Sequence, residues 1–273
     1  MSGATRSLSA RPGVGLTANV VQRTSLRFSK IVVDGPALIV LRHGTKSLQC
    51  GGRRWTLQGG DAIAIAGGLS FDVSNRLSAA GLYEARWLVW DPSVIEHFVK
   101  TAPSGRPLSG AIVIRQVDAE FAAAIDRAVA AVSDPAALAL DVARHRLAEL
   151  LVWLSVAGVR FATPQATTAT SKLRRLFSES AAEAWRMPQA AARLAVSEAT
   201  LRRRLHAEGT SFSELLVDVR MSHALTLLQS TDEPVALIAS KVGYESASRF
   251  AIRFRERFGF APTAIRGHLR AGG

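Results

Sequence analysis

The amino-acid sequence predicts an α+β chain of two domains, a strand-rich N-terminal half followed by two helices and an all-helical C-terminal third. Three observations carry this. Between residues 26 and 90 short apolar segments alternate with glycine breaks, among them Gly51-Gly52 and Gly59-Gly60-Asp61, the pattern of a small antiparallel barrel or sandwich. Two Ala- and Leu-rich stretches follow, at 117–132 and 136–159. Beyond a polar, Pro-bearing segment at 161–171, apolar residues recur at intervals of three and four, which is helical periodicity. A chain of 273 residues with 48% hydrophobic content can build two cores.

Taken in order, residues 1–22 are Ser, Arg, Gly and Ala with little periodicity and read as a mobile arm. Strands are expected at 37–42, 46–50, 53–57, 62–66, 71–75 and 83–90, within a domain spanning 23–160. Of the two helices that follow the strands, the second is expected to be capped by Asp134 or Ser133, with Pro135 in its first turn. Residues 161–171 read as a linker and 172–270 as the helical domain.

Within that domain, residues 186–196 form a helix with Pro188 in its first turn and a small Ala191 where a neighbour must approach. Ser197 caps a second helix at 198–207. Leu201 and Leu205 point inward there, while Ala199, Arg202, Arg203 and His206 share the outward face at i, i+3, i+4 and i+7, beside Ser197 and Thr200 near its start. This is a helix-turn-helix, whose second helix enters the DNA major groove. Arginine is shaped to grip guanine O6 and N7 with two hydrogen bonds; Arg204 points elsewhere, to phosphate or solvent. A long helix at 213–228 leads to a second unit, 234–242 followed by 243–258. In the latter Ser246 caps, Phe250, Phe254 and Phe258 recur every four residues, and Gly259 and Pro262 mark the stop. The phenylalanine stripe is core. The outward face carries Ala247, Ser248, Ala251 and Ile252, flanked by Arg249 and Arg255.

The segment Gly243, Tyr244, Ser246, Ser248, Phe250, Phe254, Phe258, Gly259, Pro262, Arg266 resembles the second DNA-binding helix of AraC/XylS-type transcription regulators. Arg220, Ala224, Leu227 and Leu228 extend the resemblance upstream, so that it covers about 172–270. It implies two recognition helices about one DNA turn (~34 Å) apart, RNA polymerase as a partner, activation of transcription, and a homodimer; the helices at 117–132 and 136–159 match the dimerisation helices of such regulators or, alternatively, cover the open side of the barrel. Trp55, Leu57, Gly60, Asp61 and Ile65 resemble the cupin-like sensor barrel that precedes the DNA-binding domain in many relatives. Arg42, Trp55, Phe71, Tyr83 and Trp87 are the candidate effector-binding residues. The effector is expected to be a small molecule, with a protein partner as the alternative and a cupin-type enzyme fused to a DNA-binding module as the third. Relatives often have Gly at the position of Ala195 and a larger residue at Ala190, departures read as packing adjustments. They commonly have Arg where this chain has Ile252, so the second helix is expected to anchor phosphates and touch thymine methyls more than read bases.

Composition agrees. The net charge of +12 suits an anionic partner, although residues 171–273, with 16 Lys and Arg against 10 Asp and Glu, hold only half of it. Cys50 is the sole cysteine, excluding an internal disulfide and pointing to a reducing cytoplasm. No apolar run approaches the roughly 20 residues of a membrane span, so no membrane partner is expected. The first 110 residues hold only His43 and His97, without a His-x-His pair, and Cys50 has no neighbouring base. No metal, cofactor or catalysis is expected.

Overall fold

The computed structural model describes residues 4–101, 106–163 and 167–266. They form two compact units, one built chiefly from residues before 165 and one from residues after it.

In the first unit, β1 (Ser7–Arg11), β2 (Gly15–Gln22), β4 (Ala37–His43), β7 (Ala62–Ile65), β9 (Tyr83–Trp90) and β10 (Ala111–Ile114) make an antiparallel sheet in the order β1-β2-β9-β4-β7-β10. A second sheet, in the order β3-β8-β5-β6, comprises β3 (Leu26–Val33), β5 (Thr45–Cys50), β6 (Arg53–Gln58) and β8 (Leu69–Arg76). The expected barrel strands are thus divided between two sheets. The residue patterns explain the division. The inner strands of the larger sheet are covered on both faces, so β7 is buried throughout and Ala37, Leu38 and Ile39 of β4 have no exposure. The smaller sheet is covered on one face, and β8 alternates, with Phe71, Val73 and Asn75 in and Ser70, Asp72 and Arg76 out.

Helices α1 (Pro92–Thr101), α2 (Ala119–Ser133) and α3 (Leu140–Val156) cover the outer face of the larger sheet, where Leu38, Ala64, Leu88 and Trp90 pack with Phe121, Leu147 and Leu151. The Trp90 indole N–H donates to the Leu147 carbonyl at 2.9 Å.

Three expectations are corrected here. Residues 7–22 are no mobile arm: β1 and β2 form a hairpin, and β2 pairs with β9 along its whole length, Gly15↔Trp90 to Gln22↔Tyr83. Arg11 fastens it by donating to the carbonyls of Ala131 at 2.8 Å and Leu138 at 2.6 Å. Asp134 does not start the second helix; its carboxylate accepts from the N–H groups of Ala136 and Ala137 in a turn, and α3 begins at Leu140. Finally, α1 and β10 are additional to the expected elements.

The second unit contains α4 (Ala169–Glu179), α5 (Met187–Arg193), α6 (Glu198–Ala207), α7 (Phe212–Ser230), α8 (Val235–Lys241), α9 (Ala247–Phe258) and a 3-10 turn at Pro262–Arg266. α4 starts inside the expected linker. Thr168 and Ser171 form a capping box, and the Glu208 carboxylate accepts from the N–H groups of Ala169 at 2.9 Å and Thr170 at 2.7 Å. Leu173 and Phe177 then pack with Trp185, Ala190, Ala191, Leu201 and Leu205. Among the described residues no helix is long and apolar enough to cross a membrane.

Candidate nucleic-acid interface

The first helix-turn-helix is α5 and α6. Ala190 and Ala191 are buried, and having no bulk beyond Cβ they let the helices meet closely. The turn between them runs through Ala195 in the left-handed region, φ 53°. The glycine of relatives at this position is therefore a backbone preference, and the reading of Ala195 as a packing adjustment is corrected. Ser197 Oγ accepts from the Thr200 N–H at 3.2 Å and donates to Thr200 Oγ1 at 2.9 Å. With Leu201 and Leu205 buried, Arg202, Arg203, Arg204 and His206 stand exposed with Ser197 and Ala199, and Thr200 is half-buried.

The second unit is α8 and α9. Ser246 Oγ accepts from the Arg249 N–H at 3.3 Å. Gly259, at φ 83°, ends the helix and donates its N–H to the Arg255 carbonyl at 2.8 Å. The three phenylalanines are buried, with ring centroids 5.6 Å (Phe250–Phe254) and 4.7 Å (Phe254–Phe258) apart, as expected for a core stripe. Ala247, Ser248, Arg249, Ile252 and Arg255 are exposed, Ile252 to 59%, while Ser246 and Ala251 are half-buried.

The arginines separate by partner. Arg253 is engaged by Glu256 at 2.9 Å and Arg257 by Asp218 at 2.8 Å. Arg202, Arg203, Arg204, Arg249 and Arg255 have no acidic partner among the described residues. Exposed cations left unpaired on two capped helices of one unit form a surface suited to phosphates and base edges.

Between the two helix-turn-helix units lies a cleft of about 420 Å³ lined by Trp185, Arg186, Leu216, Ser240 and Tyr244. Arg220 of α7 crosses it. Its guanidinium donates to the carbonyls of Ala181 at 3.0 Å and Glu183 at 2.8 Å and stacks 5.8 Å from the Tyr244 ring. A Cβ on Gly243 would stand 2.5 Å from Arg220 Nη2.

In the first unit, four of the five candidate effector residues come together between the sheets in two pairs. Trp55 and Phe71 meet edge to face at 6.0 Å, and Tyr83 and Trp87 flank a buried lysine, Lys46. Arg42 is elsewhere, with Arg86 against Asp126 of α2. Sequence reasoning missed Lys46, Asn75 and Gln22. The signal was there: Lys46 is two residues from Leu48 and Asn75 two from Val73, hence in the inward phase. Lys46 Nζ donates to Asn75 Oδ1 at 3.1 Å and to the Tyr83 hydroxyl at 3.4 Å. Burial lowers its pKa to about 7 and pushes that of Tyr83 up. Asp61 of the Gly-Asp turn has a structural role. Burial acts to raise its pKa, but the N–H groups of Gln58 and Gln116 and the Arg115 guanidinium outweigh that and hold it below the usual range.

Residues 190–268 match the family described as "Helix-turn-helix domain". The transcriptional activator FapR of Escherichia coli is 33% identical over 97 residues, 36% of this chain and 37% of FapR. The transcriptional regulator YdeO of Escherichia coli K12 is 31% identical over 128 residues, 44% of this chain and 50% of YdeO. Both α6 and α9 fall within the residues that match. The chain spans half or less of the length of these curated relatives. Over most of the chain the likeness is one of fold. An apo, single-substitution variant of ToxT from Vibrio cholerae superposes with a TM-score of 0.67 at 14% identity, covering 94% of this chain and 97% of ToxT. Wild-type ToxT with unsaturated fatty acid bound gives 0.63 at 13%, covering 95% and 98%.

Proposed function

We propose that this chain is a transcription regulator that binds double-stranded DNA sequence-specifically through α6 and α9 and responds to a small organic effector held by its N-terminal domain. The observation that carries the reading is the set of unpaired guanidiniums on two side-chain-capped helices of one compact unit. On this reading Arg202 and Arg203 contact guanine edges, with Ser197, Ala199, Thr200 and His206 around them. Ser246, Ser248, Arg249 and Arg255 hold phosphates, and Ala247, Ala251 and Ile252 meet thymine methyls. The two helices occupy successive major grooves, ~34 Å apart.

The strand-rich unit acts as a cupin-like sensor, for which the two antiparallel sheets and the fatty acid bound in the ToxT structure are the support. The chain works in the cytoplasm as a homodimer that activates transcription with RNA polymerase, and it catalyses no reaction and needs no cofactor.

Electrophoretic mobility shift of the full chain on its own upstream DNA tests the DNA-binding claim. A discrete complex that resists excess random duplex at moderate salt is expected; equal competition by random duplex would overturn it.

A further inference from the structure

The space between the two sheets of the first unit holds more hydrogen-bond donors than acceptors. Lys46 is 1% exposed and lies on β5 of the smaller sheet. Its ammonium has three protons to give and two acceptors within reach, Asn75 Oδ1 and the Tyr83 hydroxyl. Asn75 in turn donates to Gln22 Oε1 at 3.3 Å, so Lys46-Asn75-Gln22 bridges β5 and β8 to β2 of the larger sheet. Gln22, with no exposure, keeps a buried Nε2 without an acceptor, and so does the buried Nε1 of Trp87, whose ring lies 5.4 Å from Lys46 Nζ. Among the described residues no carboxylate answers this surplus. The neighbouring Glu84 is on the opposite phase of β9, where it accepts from Asn19 at 3.0 Å. The remaining inward positions are apolar: Leu48, Leu57, Phe71 and Val73 of the smaller sheet are buried to 8% exposure or less.

A buried ammonium without an anion, beside N–H groups without acceptors, is costly by itself, and a ligand that brings acceptors and negative charge favours its protonated form. The lysine cation matches a single negative charge, and the apolar wall matches a hydrocarbon body. We propose that Lys46, Gln22 and Trp87 receive the carboxylate of a small organic monoanion whose apolar part lies against Phe71 and Val73. This rests on the reading of the N-terminal domain as a small-molecule sensor and narrows that reading to a ligand class and a set of donors. The cluster also explains why the domain tolerates a lysine on an inward strand position, where leucine would pack without penalty.

The test is a thermal-shift and calorimetric titration of the full chain with straight-chain and aromatic monocarboxylates, their primary amides, neutral sugars and inorganic phosphate. Ligands that bind the folded state raise the melting temperature. Carboxylates are expected to raise it and the matched amides are not. Lys46→Met, which keeps the volume and should fold, is expected to weaken carboxylate binding by about tenfold or more, and Gln22→Leu by less. Equal carboxylate binding by wild type and Lys46→Met would overturn the assignment. If only neutral compounds bind, the sensor reading survives and the anion assignment fails. If no compound of any class shifts the protein while a co-purifying protein does, the sensor reading fails as well.

Discussion

Arg257 donates its Nε–H to Asp218 Oδ1 at 2.8 Å, and the second oxygen of the same carboxylate accepts from Arg174 at 2.6 Å. Arg257 is on α9, Asp218 on the connecting helix α7 and Arg174 on α4, which packs with the first helix-turn-helix. One carboxylate therefore ties α9 to α4, the helix that supports α5 and α6. Removing it takes away the negative charge that faces Arg174, which is 7% exposed. Asp218→Ala is expected to cost roughly 3 kcal/mol, read as a lower urea midpoint with an unchanged slope. A loss within error of zero would show the triad to be ornamental.

Arg220 and Gly243 make a second such link. Gly243 sits at φ 81° with Arg220 against its open side, and the Ala181 carbonyl oxygen lies 3.1 Å from where a Cβ would stand. Gly259 has φ 83° but nothing within 4 Å. Gly259→Ala should therefore cost about 1 kcal/mol of backbone strain alone. Gly243→Ala should cost more and also weaken DNA binding, because displacing Arg220 frees the turn leading into α9. Melting curves and polarisation titrations of the two variants separate the effects.

At Ala195 the same physics runs in reverse. An L-residue at φ 53° pays a conformational penalty that glycine avoids. Ala195→Gly is expected to stabilise the chain by up to about 1 kcal/mol, reduced by the extra freedom glycine gains when unfolded. A fall in melting temperature would contradict this.

The arginine faces should differ in kind. Arg202→Ala or Arg203→Ala is expected to relax base preference at one position, with a loss of about 1–3 kcal/mol for the one that pairs with guanine. Arg255→Ala should weaken all sequences alike and lower the salt slope by about one unit. Selection of binding sites from random duplex, repeated at several salt concentrations, reads both quantities.

Lys46 gives the stability a pH dependence of defined sign. Its folded pKa, about 7, lies below the unfolded value of 10.5, so between these values the unfolded chain holds a proton that the folded chain lacks. Stability should rise with pH across that window, by at most about 1.4 kcal/mol per unit, and the rise should be absent in Lys46→Met. Tyr83, the titratable group hydrogen-bonded to Lys46, acts in the opposite sense above pH 10, since burial holds its phenol protonated while the unfolded phenol ionises. Chemical denaturation of both proteins from about pH 7 to about pH 9.5, below the range where an unfolded tyrosine ionises, isolates the lysine.

The helix-turn-helix half was legible because local rules agree there: Ser197 and Ser246 cap, Gly259 stops, and Phe250, Phe254 and Phe258 repeat at one helical interval. The start of α4 escaped although its Thr168–Ser171 capping box is local, because the surrounding composition reads as a linker and the Glu208 carboxylate that completes the cap lies 38 residues beyond Thr170. The β-unit was less legible for the same physical reason on a larger scale. Residues 7–22 carry weak local signals, and their strand character comes from pairing with β9 and from Arg11 reaching carbonyls more than a hundred residues away. Long-range partners also explain Arg42: nothing nearby in sequence announces Asp126. Lys46 is readable from its phase, yet lysine so seldom occupies an inward position that phase alone does not single it out.

The N-terminal hairpin has a practical consequence for anyone preparing this protein. Trimming the chain at residue 23, as its composition invites, would strip β1 and β2 from the sheet and leave β9 with one bare edge. That edge reads Tyr-Glu-Ala-Arg-Trp-Leu-Val-Trp, an apolar, aromatic strand of the kind that templates sheet-to-sheet association between molecules. The shortened chain would precipitate for want of its own first strands, and a solubility screen would wrongly blame the strands that remain.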